Sequence, residues 1–267
     1  MKKLSSISII VLITYLAMVI VNGLANALPI NGMITGAISD SYPNLFAPTG
    51  ITFIIWGVIY LLLAAHTLYQ LGLFRKKSEE VKTALLKEVG TLFAISSVAN
   101  IAWIFSWHYK IIPLSMLLML VILICLVLIT IRINKEKLTT NEKIFIRLPF
   151  SVYFGWITVA TIANATTLLV DKLGSPVNLL GISEVVWTVA ILIIGLVIGV
   201  VTTLRNRDVA YGLVIVWAYV GILIKHLMDK PLPDGFSSQY PVVIATVIVS
   251  LVVLVATLIY TQLKAKK

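Results

Sequence analysis

The sequence predicts an all-α fold, a polytopic membrane helix bundle of about eight transmembrane helices, and three observations carry that expectation. Hydrophobic residues make up 60% of the chain and charged ones only 12%, with a mean hydropathy of +1.03, far more apolar than a soluble domain of 267 residues. Apolar stretches recur at about 7–27, 51–73, 88–107, 112–131, 146–169, 184–204, 209–227 and 241–263. Each is long enough to cross a ~30 Å hydrocarbon core as a helix. The runs are continuous, whereas membrane β-strands are about ten residues long and alternate. Lipid leaves helices as the remaining way to satisfy the backbone.

The net charge of +10 is accounted for by where the charges fall. With alternate loops assigned to the cytoplasm, Lys2, Lys3, Arg75, Lys76, Lys77, Lys82, Lys87, Arg132, Lys135, Lys137, Lys143, Arg147, Arg205, Arg207, Lys264, Lys266 and Lys267 lie inside. Lys110, Lys172, Lys225 and Lys230 lie outside with Asp40, Asp171, Glu184, Asp229 and Asp234. The positive-inside rule then places both termini in the cytoplasm of a multi-pass protein of the cell membrane, and no nucleic-acid partner is needed. The partner implied directly is the lipid bilayer. A single cysteine, Cys125, excludes an intrachain disulfide and a thiolate metal site.

The first span has a competing reading as a signal peptide, with Met-Lys-Lys ahead and Ala25-Asn26-Ala27 behind. Its apolar run is longer than an ordinary h-region, so a retained helix is expected. It ends in Asn22 and Asn26, four apart on one face, where amides in hydrocarbon need helix partners or a ligand. A loop of Asn, Gly, Ser, Asp and Pro then runs from Leu28 to Gly50, long enough to act as a lid or binding loop. The second span opens after Pro48 and Gly50, and its Trp56 and Tyr60 share a face. His66 near its other end reads as a packing residue, since no second histidine is spaced with it. The mixed-charge segment Arg75 to Glu88 reads as a solvated amphipathic loop.

In the third span Asn100, Trp103 and Trp107 follow i, i+3, i+7 spacing, either lining a cavity or forming an interfacial aromatic belt. Pro113 opens a fourth span that reads as wall. The fifth repeats Trp156, Ala160 and Asn164 every four residues, a small residue between a ring and an amide. Gly195 and Gly199 form a GxxxG motif, expected to pack within the chain, with a homodimer as the other reading. His226 and Asp229 sketch two ligands of a metal site without a third, so no metal is expected.

Taken together, these spacings resemble the TspO/MBR family of tryptophan-rich sensory proteins, relatives of the translocator protein, over roughly residues 7–170. Pro48 stands eight before Trp56 and Trp56 four before Tyr60; Asn100 precedes Trp103, Trp107 and Pro113; Trp156, Ala160 and Asn164 follow in the fifth span. The resemblance implies a five-helix core at 1–170, capped by the first loop, and leaves 171–267 as three additional helices and a basic tail. It also implies a planar apolar ligand, a tetrapyrrole such as a porphyrin, bound for sensing or transport, with no cofactor required. Trp56, Tyr60, Asn100, Trp103, Trp107, Trp156, Ala160 and Asn164 become its ligand-binding residues, and Asn31, Pro48 and Gly50 belong to the lid or loop. The chain departs from the family where Ala47-Pro48 stands for Pro-Pro, where Thr49-Gly50-Ile51 lacks a tryptophan, and where Phe150 replaces tyrosine. Pro149 also stands seven before Trp156, three further than in the family.

No catalytic triad, metal cluster or phosphate loop can be assembled from these residues, so binding and lid motion are expected in place of bond-making. Light-dependent porphyrin breakdown is the enzymatic alternative that the resemblance leaves. Two further readings stay open: a small-molecule permease using the late spans, and an assembly partner docking through the last three helices.

Overall fold

A computed structural model describes residues 5–75, 82–174, 181–230 and 235–265. Lys2, Lys3, Lys76, Lys77, Asp234, Lys266 and Lys267, counted above in the charge argument, lie outside the described residues. The helices are α1 (Ser6–Ala27), α2 (Thr35–Asp40), α3 (Ile55–Gln70), α4 (Thr83–His108), α5 (Ile112–Asn134), α6 (Thr140–Glu142), α7 (Leu148–Leu173), α8 (Glu184–Asn206), α9 (Val209–Leu227) and α10 (Pro241–Ala265). Among the described residues eight stretches are long and apolar enough to cross a membrane, so this is a multi-pass membrane protein.

Several helix ends are set by short-range chemistry. The Ser5 hydroxyl caps α1 by accepting from the Ser8 N–H, and the Asp208 carboxylate caps α9 by accepting from the Tyr211 N–H. Thr139 and Glu142 cap each other's backbone N–H groups at α6. Helix α4 starts at Thr83, so the second half of the segment expected as a solvated loop is helical. Glu88 there pairs with Arg132 of α5 at 3.0 Å, a half-exposed ion pair between the two helices.

The chain divides into two compact units. The first holds residues 1–35 and 55–157; the second holds 36–54 and 158–267. Within the first, α1 packs on α3 and α4, and α4 packs on α5, around Val11, Met18, Ile59, Val89, Phe93 and Ile122. Within the second, α8, α9 and α10 pack on one another around Leu192, Ile215, Tyr219, Val247 and Leu254. Gly195 and Gly199 face Tyr219, Ile215 and Leu254, so the GxxxG stripe is filled by the chain's own helices.

A π turn over Lys143–Arg147 runs into α7, and its cause is Pro149. Proline has no N–H to give the carbonyl four residues back, and its ring crowds that turn. The Leu148 N–H reaches five residues back to Lys143, and the Phe145 carbonyl accepts from His66 Nδ1 at 2.9 Å. The expected packing residue His66 is therefore fully buried against Phe93 and Phe150, and it also satisfies an acceptor that Pro149 leaves open.

Candidate functional site

The first unit holds six of the eight ligand-binding residues expected from the sequence, in two aromatic groups. Trp56 and Tyr60, one turn apart on α3, are half-buried and stack with ring centroids 5.5 Å apart and planes 21° from parallel. Trp156 of α7 meets Trp56 edge-on at 6.2 Å, and Tyr153, one turn before it, meets Trp56 edge-on at 6.1 Å. Tyr15 of α1 fixes the stripe from behind by donating its hydroxyl to the Tyr60 carbonyl at 3.0 Å.

Asn100 of α4 supplies the polar edge of this cluster. Its Oδ1 accepts from Asn22 Nδ2 at 2.7 Å, and the second Asn22 amide hydrogen goes to the Met18 carbonyl. The Asn22 amide is thus spent on helix packing, while Asn100 Nδ2 is buried with no hydrogen-bond partner. The Asn100 side chain interacts with the buried Tyr153 hydroxyl, and neither that hydroxyl nor Asn100 Nδ2 makes a well-formed hydrogen bond to any other group. An amide and a hydroxyl among aromatic rings with only each other for company are a costly arrangement, and native structures keep few of them.

Trp103 and Trp107 of α4 are both buried and stack with centroids 5.7 Å apart. Burial distinguishes Trp107 from a solvated belt residue, and its indole N–H donates to the Thr35 carbonyl at 3.2 Å. Around it, His108 reaches Thr35 Oγ1 and the Ile30 carbonyl, and Asn31 Nδ2 donates to the His108 carbonyl at 3.0 Å. Asn31 sits at φ 54°, a left-handed conformation that asparagine tolerates. The first part of the loop is thereby tied to the end of α4. Trp107→Phe should remove one buried hydrogen bond and leave the Thr35 carbonyl with its place in α2 alone, lowering stability by about 1 kcal/mol in a thermal unfolding measurement in detergent.

Ala160 is half-buried and Asn164 buried, one and two turns beyond Trp156 along α7, and both belong to the second unit. That unit also holds Pro48, which is buried, and Gly50, which is exposed at the start of a 3-10 turn over Gly50–Ile54. The rest of the loop is a packed segment, since Asn44 through Thr49 are all buried. Helix α9 grips it at four points. Trp217 Nε1 donates to the Thr52 carbonyl at 3.0 Å, the Thr49 N–H donates to the Gly221 carbonyl at 3.2 Å, His226 Nε2 donates to the Leu45 carbonyl at 2.9 Å, and Lys225 Nζ pairs with Asp40 at 3.3 Å. His226 is thus a loop clamp. Among the described residues no group of three His, Cys, Asp or Glu side chains comes together for a metal.

Sequence reasoning left Tyr153 and the α9 clamp without a role. The signal for Tyr153 was its i, i+3 spacing to Trp156. For the clamp there was little beyond the concentration of Trp217, Gly221, Lys225 and His226 along one helix.

The fold and the buried aromatic and amide cluster define a polytopic α-helical membrane protein with unspent polar groups in its interior. The chain belongs to the family described as TSPO-like protein, whose family model matches residues 8–260. That match runs past residue 170 and takes in the last three helices along with the first five. No curated protein and no solved structure matches the chain.

Proposed function

We propose that the protein binds a planar apolar ligand of the tetrapyrrole class at the aromatic cluster of the first unit, for sensing or transport, with both termini in the cytoplasm. The observation that carries this reading is the buried Asn100 amide and Tyr153 hydroxyl, which have only each other as polar company, in a cluster with Trp56, Tyr60 and Trp156. A flat macrocycle stacks on indole and phenol faces, and a few polar groups orient its edges. Trp103 extends the aromatic surface along α4. Trp107 acts through the loop it anchors. Asn31 marks the part of the first loop within this unit that acts as its lid.

The test is a protoporphyrin titration of the purified protein, followed by tryptophan fluorescence. Saturable quenching is expected in the wild type and should weaken at least several-fold in Trp56→Phe and Trp156→Phe. Tyr153→Phe separates a ligand role from a structural one. Its hydroxyl interacts in the fold only with Asn100, so its removal should change thermal stability by no more than about 1 kcal/mol. The same substitution should weaken protoporphyrin binding. Absence of saturable quenching in every form would sink the tetrapyrrole reading. Solute uptake into proteoliposomes without such binding would favour a permease, and copurification of a stoichiometric partner lost on deleting 184–267 would favour an assembly role.

A further inference from the structure

The second unit contains a cavity of about 260 Å³ between the 39–47 stretch of the loop and the far end of α9, with Lys225 and Phe236 in its wall. Lys225 is only 5% exposed, and an ammonium so placed needs partners. Its Nζ carries three donors, and the carboxylate facing it is Asp40, with Oδ1 at 3.3 Å and about a third of that side chain exposed. The Phe236 ring lies 5.8 Å from the same ammonium. Pro43, Ala47 and the Tyr42 ring complete walls that are mainly apolar.

The walls are built in advance. Asn44 Oδ1 accepts from the Phe46 and Ala47 N–H groups, and Asn44 Nδ2 donates to the Tyr42 carbonyl, which holds the loop in a tight turn. Phe236 is held by its own N–H to the Lys225 carbonyl and by the face of His226 at 4.7 Å. A site whose walls are already ordered loses less entropy on binding.

From this arrangement we propose that the cavity binds a free α-amino acid with an apolar or aromatic side chain. Lys225 and Asp40 place one positive and one negative group side by side and sum to zero charge. A simple anion would meet the Asp40 carboxylate and a simple cation the Lys225 ammonium, each with a like charge close by. An α-amino acid carries its own carboxylate and ammonium next to each other, so its carboxylate takes the spare Lys225 donors and its ammonium takes Asp40. The side chain lies against Phe236, Tyr42 and Pro43. The volume equals about nine waters at ~30 Å³ each and falls below the ~300–1,000 Å³ of pockets for drug-sized ligands, which suits leucine or phenylalanine and is too small for a macrocycle. This site shares no residue with the aromatic cluster, so the two readings stand or fall separately.

The experiment is isothermal titration calorimetry of the full chain in nanodiscs with L-leucine, L-phenylalanine and glycine, and with N-acetyl-L-phenylalanine and phenethylamine as ligands lacking one charge. Saturable binding of leucine or phenylalanine is expected, at least tenfold tighter than of glycine or of either singly charged analogue. Lys225→Met and Asp40→Asn should each weaken it at least tenfold, with protoporphyrin quenching unchanged in both. If either variant fails to fold, the charge-blocked series on the wild type still decides the matter. The proposal is overturned if neither amino acid binds saturably, or if the singly charged analogues bind as well as the zwitterions.

Discussion

His66→Ala is expected to lower the stability of the protein by about 4 kcal/mol, as measured by thermal or denaturant unfolding in detergent. Two losses combine. Removing the ring opens a void between Phe93 and Phe150, whose centroids lie 5.8 and 4.7 Å from it, and large-to-small changes in a packed core cost about 2–5 kcal/mol. It also strands the Phe145 carbonyl, which accepts from His66 Nδ1 because Pro149 has no N–H to offer it. The second loss can be isolated. Pro149→Ala puts an N–H back four residues after Phe145, so the cost of His66→Leu should be about 1 kcal/mol smaller in a Pro149→Ala background. Strict additivity of the two substitutions would show that the proline and the histidine are not linked through that carbonyl.

Gly221→Ala is expected to cost about 3 kcal/mol and to release the loop from α9. A Cβ at this position would lie 2.0 Å from Thr52 Oγ1, 2.9 Å from its Cγ2 and 3.0 Å from its Cβ. Rotating the Thr52 side chain relieves the first of these contacts, but the Cβ contact yields only if the turn at Gly50–Ile54 shifts. That shift would break the Thr49 N–H bond to the Gly221 carbonyl and the Trp217 bond to the Thr52 carbonyl. In an unencumbered helix the same change would be favourable by up to about 1 kcal/mol, so a destabilisation has the opposite sign to helix propensity. Chymotrypsin provides a second readout, since Phe46 is buried in the wild type and should become cleavable in the variant. Thr52→Ala removes the Oγ1 and Cγ2 contacts but keeps the Cβ, so it should restore only part of the stability of Gly221→Ala. Unchanged stability in the single variant would mean that the loop does not seat on α9 through this contact.

These two expectations show which parts of the protein were legible in its sequence. The eight spans were, because a helix that crosses lipid needs a long apolar run and nothing else in the chain looks like one. Boundaries came within a few residues except where local chemistry intervened. The second helix proper waits until Ile55 because a 3-10 turn follows Gly50, and α7 is preceded by a π turn because Pro149 withholds a hydrogen bond. The stacking of Trp56 on Tyr60 and of Trp103 on Trp107 was readable too, since spacing of four on a helix sets one ring above the next.

What the sequence by itself determined is therefore the all-helical membrane fold, the family and the faces on which the rings and amides lie, all of which depend on period and composition along the chain. Only the tertiary structure decided which of those groups are spent and which are left over. Asn22 uses both amide hydrogens, on Met18 and on Asn100, while Asn100 Nδ2 and the Tyr153 hydroxyl are left with only each other. It also decided that residues 36–54 pack with the last three helices, through Trp217, Gly221, Lys225 and His226. Such pairings join residues more than 150 positions apart in the chain, and a hydrogen bond depends on distance and direction in space, which no local period encodes.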